Sequence, residues 1–180
     1  MNLSVREAGF NDFNLIVQYF HSANNEFLSE MGIDHLKIPN IDVWQQELSC
    51  ELSKPIARKN YYYLIWEESS KPIGHSNLSG IVYGEKAKIH LHIWTKGQRL
   101  KGAGKELLKK SIKIYFDLFE LSEIICEPIY SNKAPNKTLI KIGFVLEKTY
   151  ETIPGSINYF QKVNRYVLNK NDYEKNIICF

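Results

Sequence analysis

The chain has 180 residues and a formal net charge of only +3, with lysines scattered along it, so its composition does not indicate a nucleic-acid-binding protein. Its three cysteines, Cys50, Cys126 and Cys179, lack Cys-x-x-Cys spacing, which argues against a disulfide framework or a zinc knuckle and favours reduced thiols in the cytoplasm. No apolar run approaches the roughly 20 residues of a membrane span, and no signal peptide opens the chain. We therefore expect one soluble cytoplasmic domain over residues 1–180.

The first third of the chain predicts a strand and two helices. Alternation over "LSVREAG", residues 3–9, predicts a strand, and the helical spacing of Phe13, Ile16, Val17 and Phe20 predicts a helix in "NDFNLIVQYFHSAN". A polar connector, "NNEFLSEMGIDHLKIPN", follows over residues 24–40. Trp44, Leu48 and Leu52 then mark a second helix. Because long connectors are often functional covers, we expect this one to lie over a site.

The remaining chain alternates strands with helices. Three successive strands are predicted in "YYYLIWEE", "IGHSNLSGIVYG" and "KIHLHIWTK", the last two forming an antiparallel hairpin around Gly84. Apolar or small residues from Gly104 to Phe119 recur with a helical rhythm. A strand "EIICEPIY", a short helix "APNKTLIKIGF" closed by Gly143, and a strand pair "VLEKTYETI" and "NYFQKVNRYVL" complete the predicted elements.

A glycine-rich, basic segment, "TKGQRLKGAGKELLKK" over residues 95–110, lies between a strand and the long helix. It is not a P-loop, because Gly97 and Gly102 have the required spacing but Ala103 and Gly104 stand where Lys-Ser/Thr should follow. It is not a dinucleotide fingerprint, because Leu107 replaces the third glycine. Glycines allow close approach of a ligand to a helix N-terminus, which suits a phosphate; the alternative is a tight turn without a ligand.

Two motifs give the chain a family resemblance. Arg99-Leu-Lys-Gly102-Ala-Gly104 is similar to the Arg/Gln-x-x-Gly-x-Gly/Ala acyl-CoA turn of the GCN5-related N-acetyltransferase (GNAT) superfamily, and Asn132 precedes Gly143-Phe144 by the family's eleven residues. With the order of elements, the resemblance covers nearly the whole chain. It implies an α/β (α+β) GNAT fold, with a central mixed, mostly antiparallel sheet of about seven strands flanked by about four helices.

The resemblance also implies acetyl-CoA as acyl-donor cosubstrate and no metal cofactor. The coenzyme A pyrophosphate would lie on backbone amides of the glycine turn, and Asn132 would hydrogen-bond the pantetheine arm. The implied cofactor-binding residues are Ile93, Trp94, Arg99, Leu100, Lys101, Gly102, Ala103, Gly104, Lys105 and Asn132.

Strand parity predicts a polar face beside this turn. If the hairpin pairs Tyr83 with Lys88, two sets of side chains separate onto opposite faces of the strands. One is apolar, with Leu78, Val82, Ile89, Leu91 and Ile93; the other is polar, with His75, Asn77, Ser79, His90, His92 and Trp94. Because buried polar groups need partners, the polar face is either a wet cleft or a hydrogen-bonded network.

A histidine base would suit acyl transfer to an amine, since an alkylammonium has a pKa of about 10.4 and must lose a proton before attack. His90 and His92 are the leading candidates. "HLHIW" and "EPIYSN" resemble the corresponding strands of siderophore-type lysine N-acyltransferases, which implies a site role for His90 and for Glu127. The alternative is that His90 is a structural partner of Asn77 or Ser79. His90-x-His92 could chelate a metal, but no ligand cluster completes such a site.

The acceptor side is less defined. His75 and Asn77 on the polar face are expected to bind substrate, as are Asp34 and His35 of the connector, whose acidic members would suit a cationic amine; a plain surface loop is the alternative. The chain departs from the family at Leu139, where many members have a tyrosine general acid, and at Pro135, where many have serine. The identity of the acid therefore stays open, with Tyr130 and a water as substitutes.

The expected function is acetyl-CoA-dependent N-acetylation of a primary amine on a small molecule or peptide, by direct transfer in a ternary complex. A non-catalytic acyl-CoA-binding sensor, an interaction domain that keeps only the fold, and a protein N-terminal acetyltransferase are the alternatives. Polyamine, aminoglycoside-like and lysine-like acceptors all fit. We expect no nucleic-acid or membrane partner, and a monomer or homodimer.

Overall fold

A seven-stranded mixed sheet forms the centre of the computed structural model, which describes residues 2–94 and 102–178. The strands are β1 (Leu3–Glu7), β2 (Tyr61–Glu68), β3 (Lys71–Val82), β4 (Lys86–Ile93), β5 (Glu123–Cys126), β6 (Val145–Thr152) and β7 (Gln161–Asn169). Their order is β1-β2-β3-β4-β5-β7-β6, and each neighbouring pair is antiparallel except β4 and β5. The predicted α/β fold with a mostly antiparallel sheet of seven strands is confirmed.

Six α-helices accompany the sheet within the described residues. They are α1 (Phe10–His21), α2 (Asn25–Glu30), α3 (Ile41–Leu52), α4 (Ala103–Phe119), α5 (Lys133–Ile142) and α6 (Lys170–Ile178). Two of them were not predicted. Helix α2 lies in the polar connector, where the Asn24 side chain caps it by accepting from the Phe27 amide. Helix α6 is anchored by Tyr173, which is buried and donates to the Lys109 carbonyl oxygen at 3.0 Å. No helix in these parts of the chain is long and apolar enough to cross a membrane.

Apolar clusters lie on both faces of the sheet. On one face, the predicted stripe of α4 packs against alternate residues of the central strands; Leu107, Leu108, Ile112, Phe116 and Phe119 are all essentially inaccessible to solvent. On the other face, α1 and α3 pack against Ile65 and its neighbours. Because side chains alternate along a strand, the second face is also the one that carries the predicted polar residues of β3 and β4.

The β3–β4 hairpin keeps the predicted parity but not the predicted register. Leu78 pairs with Ile89 and Ser79 with Lys88, so the predicted pairing of Lys88 with Tyr83 is wrong by four residues. An even error leaves every side chain on its predicted face. The exception is Val82, predicted on the apolar face but 41% exposed, because a bulge after Ser79 reverses the alternation.

Strands β4 and β5 separate soon after they meet. Their parallel pairing joins Lys86 with Glu123, Ala87 with Ile124 and Lys88 with Ile125, and then stops. Strand β5 ends one residue later, whereas β4 continues to Ile93. The sheet therefore opens into a gap at its centre.

Candidate functional site

A cavity of about 810 Å³ lies at this gap. Its walls include the polar face of β3 and β4, the segment Cys126–Ile129 after β5, and Asn132 at the start of α5. Side chains of α3 and residues 154–158 line it elsewhere. Of the predicted site residues, His75, Asn77, His90, His92, Glu127 and Asn132 are thus brought together around one space. Asp34 and His35 do not line it.

Two cross-strand pairs form the polar wall: His75 faces His92, and Asn77 faces His90. The two imidazoles of the first pair stack with ring centroids 4.7 Å apart and an interplanar angle of 24°. The Trp94 indole N–H donates to His75 Nδ1 at 2.8 Å. Burial, followed by the nearby His92 and His90, holds the pKa of His75 well below its ordinary value.

The imidazole of His90 is partly buried and bonded within this wall. Its Nε2 lies 2.8 Å from the Ser79 hydroxyl oxygen. Burial lowers the pKa of His90 to about 4; the positive charge of Lys88 lowers it further, and the negative charge of Glu127 opposes both effects. The ring is therefore unprotonated at neutral pH. It both lines the cavity and has a structural partner, so the two interpretations of the polar face are combined at this residue.

Glu127 lies in an ionic cluster. Its carboxylate pairs with Lys88 Nζ at 2.7 Å and with Arg165 Nη1 at 3.1 Å, and it accepts a hydrogen bond from the Tyr150 hydroxyl at 2.5 Å. Burial raises the pKa of Glu127, but these donors, Lys88 first, outweigh burial and hold the pKa below its usual value. Glu127 is thus a fixed carboxylate whose polar contacts are with two cations and a phenol, and it reaches His90 through its charge.

Sequence reasoning missed the two cations of this cluster. Lys88 shares the parity of His90 and His92, so strand alternation placed it on the same face, and that signal was available. Arg165 lies on β7, which neighbours β5 in the sheet although it follows it by almost 40 residues. No local pattern in the sequence indicates that contact.

The predicted connector is attached to the β6–β7 loop by a set of long-range hydrogen bonds. Ile33 forms an isolated bridge with Asn158, and the Asp34 amide donates to the Ile157 carbonyl oxygen at 2.8 Å. The side chains of Asn158 and Gln161 both donate to the Gly32 carbonyl oxygen, each at 2.8 Å. We call these two segments, residues 31–40 and 153–161, the roof. Several roof residues line the cavity, including Met31, Ile33, Gly155 and Asn158.

The glycine turn ends at the N-terminus of the 17-residue helix α4. Gly102 is its N-cap, with a left-handed φ of +75°, and a Cβ atom built there would meet nothing within 4 Å. A Cβ on Gly104 would lie 3.1 Å from Ile93 Cδ1. Ala103, the first residue of α4, is buried, and the Lys105 amide donates to the Gly102 carbonyl oxygen at 3.1 Å. The remaining residues predicted here, Arg99, Leu100 and Lys101, lie outside the described residues.

Helix α5 begins at the cavity. Asn132 is its N-cap residue and lines the cavity, and its side chain makes no capping hydrogen bond. The backbone there is fixed by Asn136, which donates to the Asn132 carbonyl oxygen at 2.6 Å and accepts from Asn164 of β7 at 2.7 Å. Leu139 is completely buried in the core, and the 55%-exposed Tyr130 does not line the cavity.

The described residues contain no group of three or more histidine, cysteine, aspartate or glutamate side chains placed to hold a metal ion. No protein-family model and no curated protein matches the sequence.

Solved structures match the fold over nearly its whole length. Spermidine N-acetyltransferase from Vibrio cholerae, in complex with CoA and spermine, superposes with a TM-score of 0.78 and 18% identity over 96% of this chain and 98% of that one. Ribosomal-protein-S5-alanine acetyltransferase from Vibrio fischeri gives 0.77 and 18% over 96% of both chains. A dodecameric form of the Vibrio cholerae enzyme gives 0.75 and 16% over 97% of both. The chain has the fold of the GNAT acetyltransferases, as its sequence motifs predicted.

Proposed function

We propose that the protein is an acetyl-CoA-dependent N-acetyltransferase that acetylates a primary amine on a small molecule or peptide by direct transfer in a ternary complex. The observation that carries the proposal is the gap between β4 and β5. It connects a polar, imidazole-rich wall on one side with the first turn of α5 on the other, so two ligands can meet there. Solved structures that share the fold include a spermidine N-acetyltransferase bound to CoA and a ribosomal-protein-alanine acetyltransferase.

The glycine turn and the gap suit the two parts of coenzyme A. Exposed backbone at Gly102 and the N-terminal amides of α4 would bind the pyrophosphate, because a helix N-terminus carries partial positive charge and unpaired N–H groups. Beyond Lys88, β4 has no paired strand on its β5 side among the described strands. Backbone groups there need partners, and the amides of a pantetheine arm can supply them together with the Asn132 side chain.

His90 is the proposed general base. The amine nitrogen would attack the thioester carbonyl, the new C–N bond would form as the C–S bond breaks, and the amine proton would pass to the neutral imidazole. The charge of Glu127 would stabilise the resulting imidazolium, in place of the direct hydrogen bond typical of catalytic dyads. A thiol with a pKa of about 8.5 can leave as a thiolate, so the reaction does not require a side chain to replace the tyrosine absent at Leu139.

His92 is the second candidate for the base. Its ring is stacked on His75 and packed against the edges of Tyr19 and Phe20. Those contacts restrict the ring, whereas His90 lies closer along the strand to Lys88 and the gap. Asp34 and His35 would act only through the roof, since neither lines the cavity.

An acceptor screen that follows thiol release from acetyl-CoA tests the proposal, with small amines and peptides bearing a free N-terminus as separate arms. His90→Ala should lower turnover by about 10²–10⁴-fold, and His90→Gln should be nearly as damaging because it cannot take a proton. Ser79→Ala is the matched control: it removes the hydrogen-bond partner of His90 but keeps the base. If acetyl-CoA binds but no amine causes thiol release, the protein is an acyl-CoA-binding sensor and not an enzyme. Near-parental turnover of His90→Gln would show that His90 is not the general base.

A further inference from the structure

The histidine at the deep end of the polar wall has an unsatisfied nitrogen. His75 is fully buried and lines the cavity, yet its Nε2 has no hydrogen-bond partner among the described residues. Buried polar groups are nearly always paired, because an unmade hydrogen bond carries the full loss of hydration. A ligand atom in the cavity can provide the missing partner.

The contact with Trp94 decides which partner that nitrogen needs. An indole N–H is a donor only, so His75 Nδ1, 2.8 Å away, must accept and cannot carry a proton. The imidazole is then neutral, with its hydrogen on Nε2. The low pKa of His75 agrees with this state. The wall beside the cavity therefore holds a fixed N–H donor without a partner. Because Nε2 itself is inaccessible to solvent, a ligand oxygen reaches it only when a neighbouring side chain moves.

We propose that His75 Nε2–H binds an oxygen of the acceptor substrate, with Trp94 as the positioning residue that fixes the tautomer, so that the acceptor is an amine bearing a hydroxyl, carbonyl or carboxylate group. This rests on the proposed function. The pair His75–His92 lies two residues along the strands from the pair Asn77–His90, which corresponds to about 7 Å. An amine at His90 thus places the recognised oxygen about that distance from its nitrogen.

The same geometry disfavours a second ammonium at this position. An ammonium has three donors and no acceptor, so it would meet another donor at His75. The titratable groups that act on His75 are His92 and His90. The carboxylates that line the cavity lie on α3, at Glu47 and Glu51, and after β5, at Glu127. An alkyl group would leave the Nε2–H unpaired. The polar wall therefore selects an amino alcohol or amino acid derivative over a diamine of the same length.

Three amines of matched length separate these cases: 5-aminopentan-1-ol, n-hexylamine and 1,5-diaminopentane. We expect aminopentanol to have a kcat/KM about tenfold above each of the other two, and His75→Phe to bring the three within about threefold. A preference for the diamine or hexylamine in the parent protein, or an aminopentanol preference that survives in His75→Phe, overturns the proposal.

The tautomer is measured independently of turnover. Long-range ¹H–¹⁵N spectra of the parent protein should show His75 protonated at Nε2 and unprotonated at Nδ1, and Trp94→Phe should move the ring toward a mixture of tautomers. A parent ring protonated at Nδ1 refutes the assignment. Trp94→Phe should also reduce the aminopentanol preference, which keeps the test decisive if His75→Phe does not fold.

Failure of the proposed function is distinguishable from failure of this inference. If no amine releases thiol from acetyl-CoA, binding of the same three amines is followed by NMR titration of the parent and both variants. Tighter binding of aminopentanol that depends on His75 supports the inference on its own. The inference is overturned if all three amines bind equally and none of them shifts the His75 signals.

Discussion

Replacement of His90 by glutamine should change the pH dependence of stability, because the folded protein holds this imidazole neutral. In the unfolded chain a histidine has a pKa of about 6.5, whereas in the fold the pKa of His90 is about 4. Since the folded value is the lower one, the contribution to stability is complete above about pH 6.5. It is lost as the pH falls toward the folded value, because only the unfolded chain takes up the proton.

The size of the effect follows from the shift. Each pH unit below 6.5 costs about 1.4 kcal/mol for a group that cannot protonate in the fold. At about pH 5 this amounts to about 2 kcal/mol, and solvent screening of the partly exposed ring reduces it to about 1–2 kcal/mol. His90→Gln carries a constant penalty for its altered bond to Ser79, but it lacks the titrating group.

Urea denaturation of both proteins at about pH 7 and about pH 5 measures the difference. The free energy of unfolding of the parent should fall by about 1–2 kcal/mol more than that of His90→Gln. His75 is present in both proteins, so its own contribution cancels. Ser79→Ala should keep the acid sensitivity of the parent. A parent–variant difference that does not change with pH would show that His90 is protonated alike in the folded and unfolded states, and the reasoning about the polar wall would be wrong.

Three further predictions concern the cofactor side and the ionic cluster. Acetyl-CoA at about 100 times its dissociation constant should stabilise the fold by about 2.7 kcal/mol, seen as a rise in melting temperature. Gly102→Asp should abolish that rise, while Gly84→Asp, with a similar left-handed φ and open surroundings, should retain it. An equal rise in melting temperature in both variants would show that acetyl-CoA does not bind at the glycine turn. Asn132→Ala should raise the KM for acetyl-CoA more than it lowers kcat, with its exposed neighbour Ser131→Ala as control, and an unchanged KM contradicts the pantetheine contact. Glu127→Gln should lower the free energy of unfolding by about 3 kcal/mol at neutral pH, because it leaves Lys88 and Arg165 without their shared counter-charge. The difference in stability between the two proteins should shrink as the pH falls below the unfolded glutamate pKa of about 4.3 toward the lowered pKa of Glu127. A loss under about 1 kcal/mol in urea denaturation at neutral pH would mean that the two cations find other partners.

Patterns with a strong period predicted most of the fold. The rhythm from Gly104 to Phe119 became helix α4, and alternation in "HLHIW" placed His90 and His92 on one face. The β3–β4 side chains kept their predicted faces despite an error of four residues in the register, because an even shift does not exchange the two faces of a strand. The prediction for Val82 was wrong because a bulge follows Ser79. The bulge depends on the backbone path near Gly80, where φ is +57°, and the pattern of apolar residues does not indicate it.

Contacts between distant segments were the part that the sequence did not predict. The polar composition of helix α2 is typical of a loop; besides its cap at Asn24, the helix is held by the Tyr159 hydroxyl of the roof, which donates to the Ser29 carbonyl oxygen. The partners of Glu127 come from β4, β6 and β7, which meet only in the folded sheet. The tautomer of His75 likewise depends on an indole nineteen positions away. Strand parity placed Lys88 and Trp94 on the correct face, but the contacts themselves are properties of tertiary packing that a single sequence does not specify.

The roof closes one side of the cavity through contacts between segments that are far apart in the chain. Its hydrogen bonds join residues 121 to 129 positions apart, so they form only after both segments are held by the rest of the sheet. We expect this part to close last in folding and to open first in the native state, on the scale of local unfolding. The Asp34 amide, bonded across the roof, should then exchange its hydrogen faster than the amides of α4, and the same opening would widen access to the cavity.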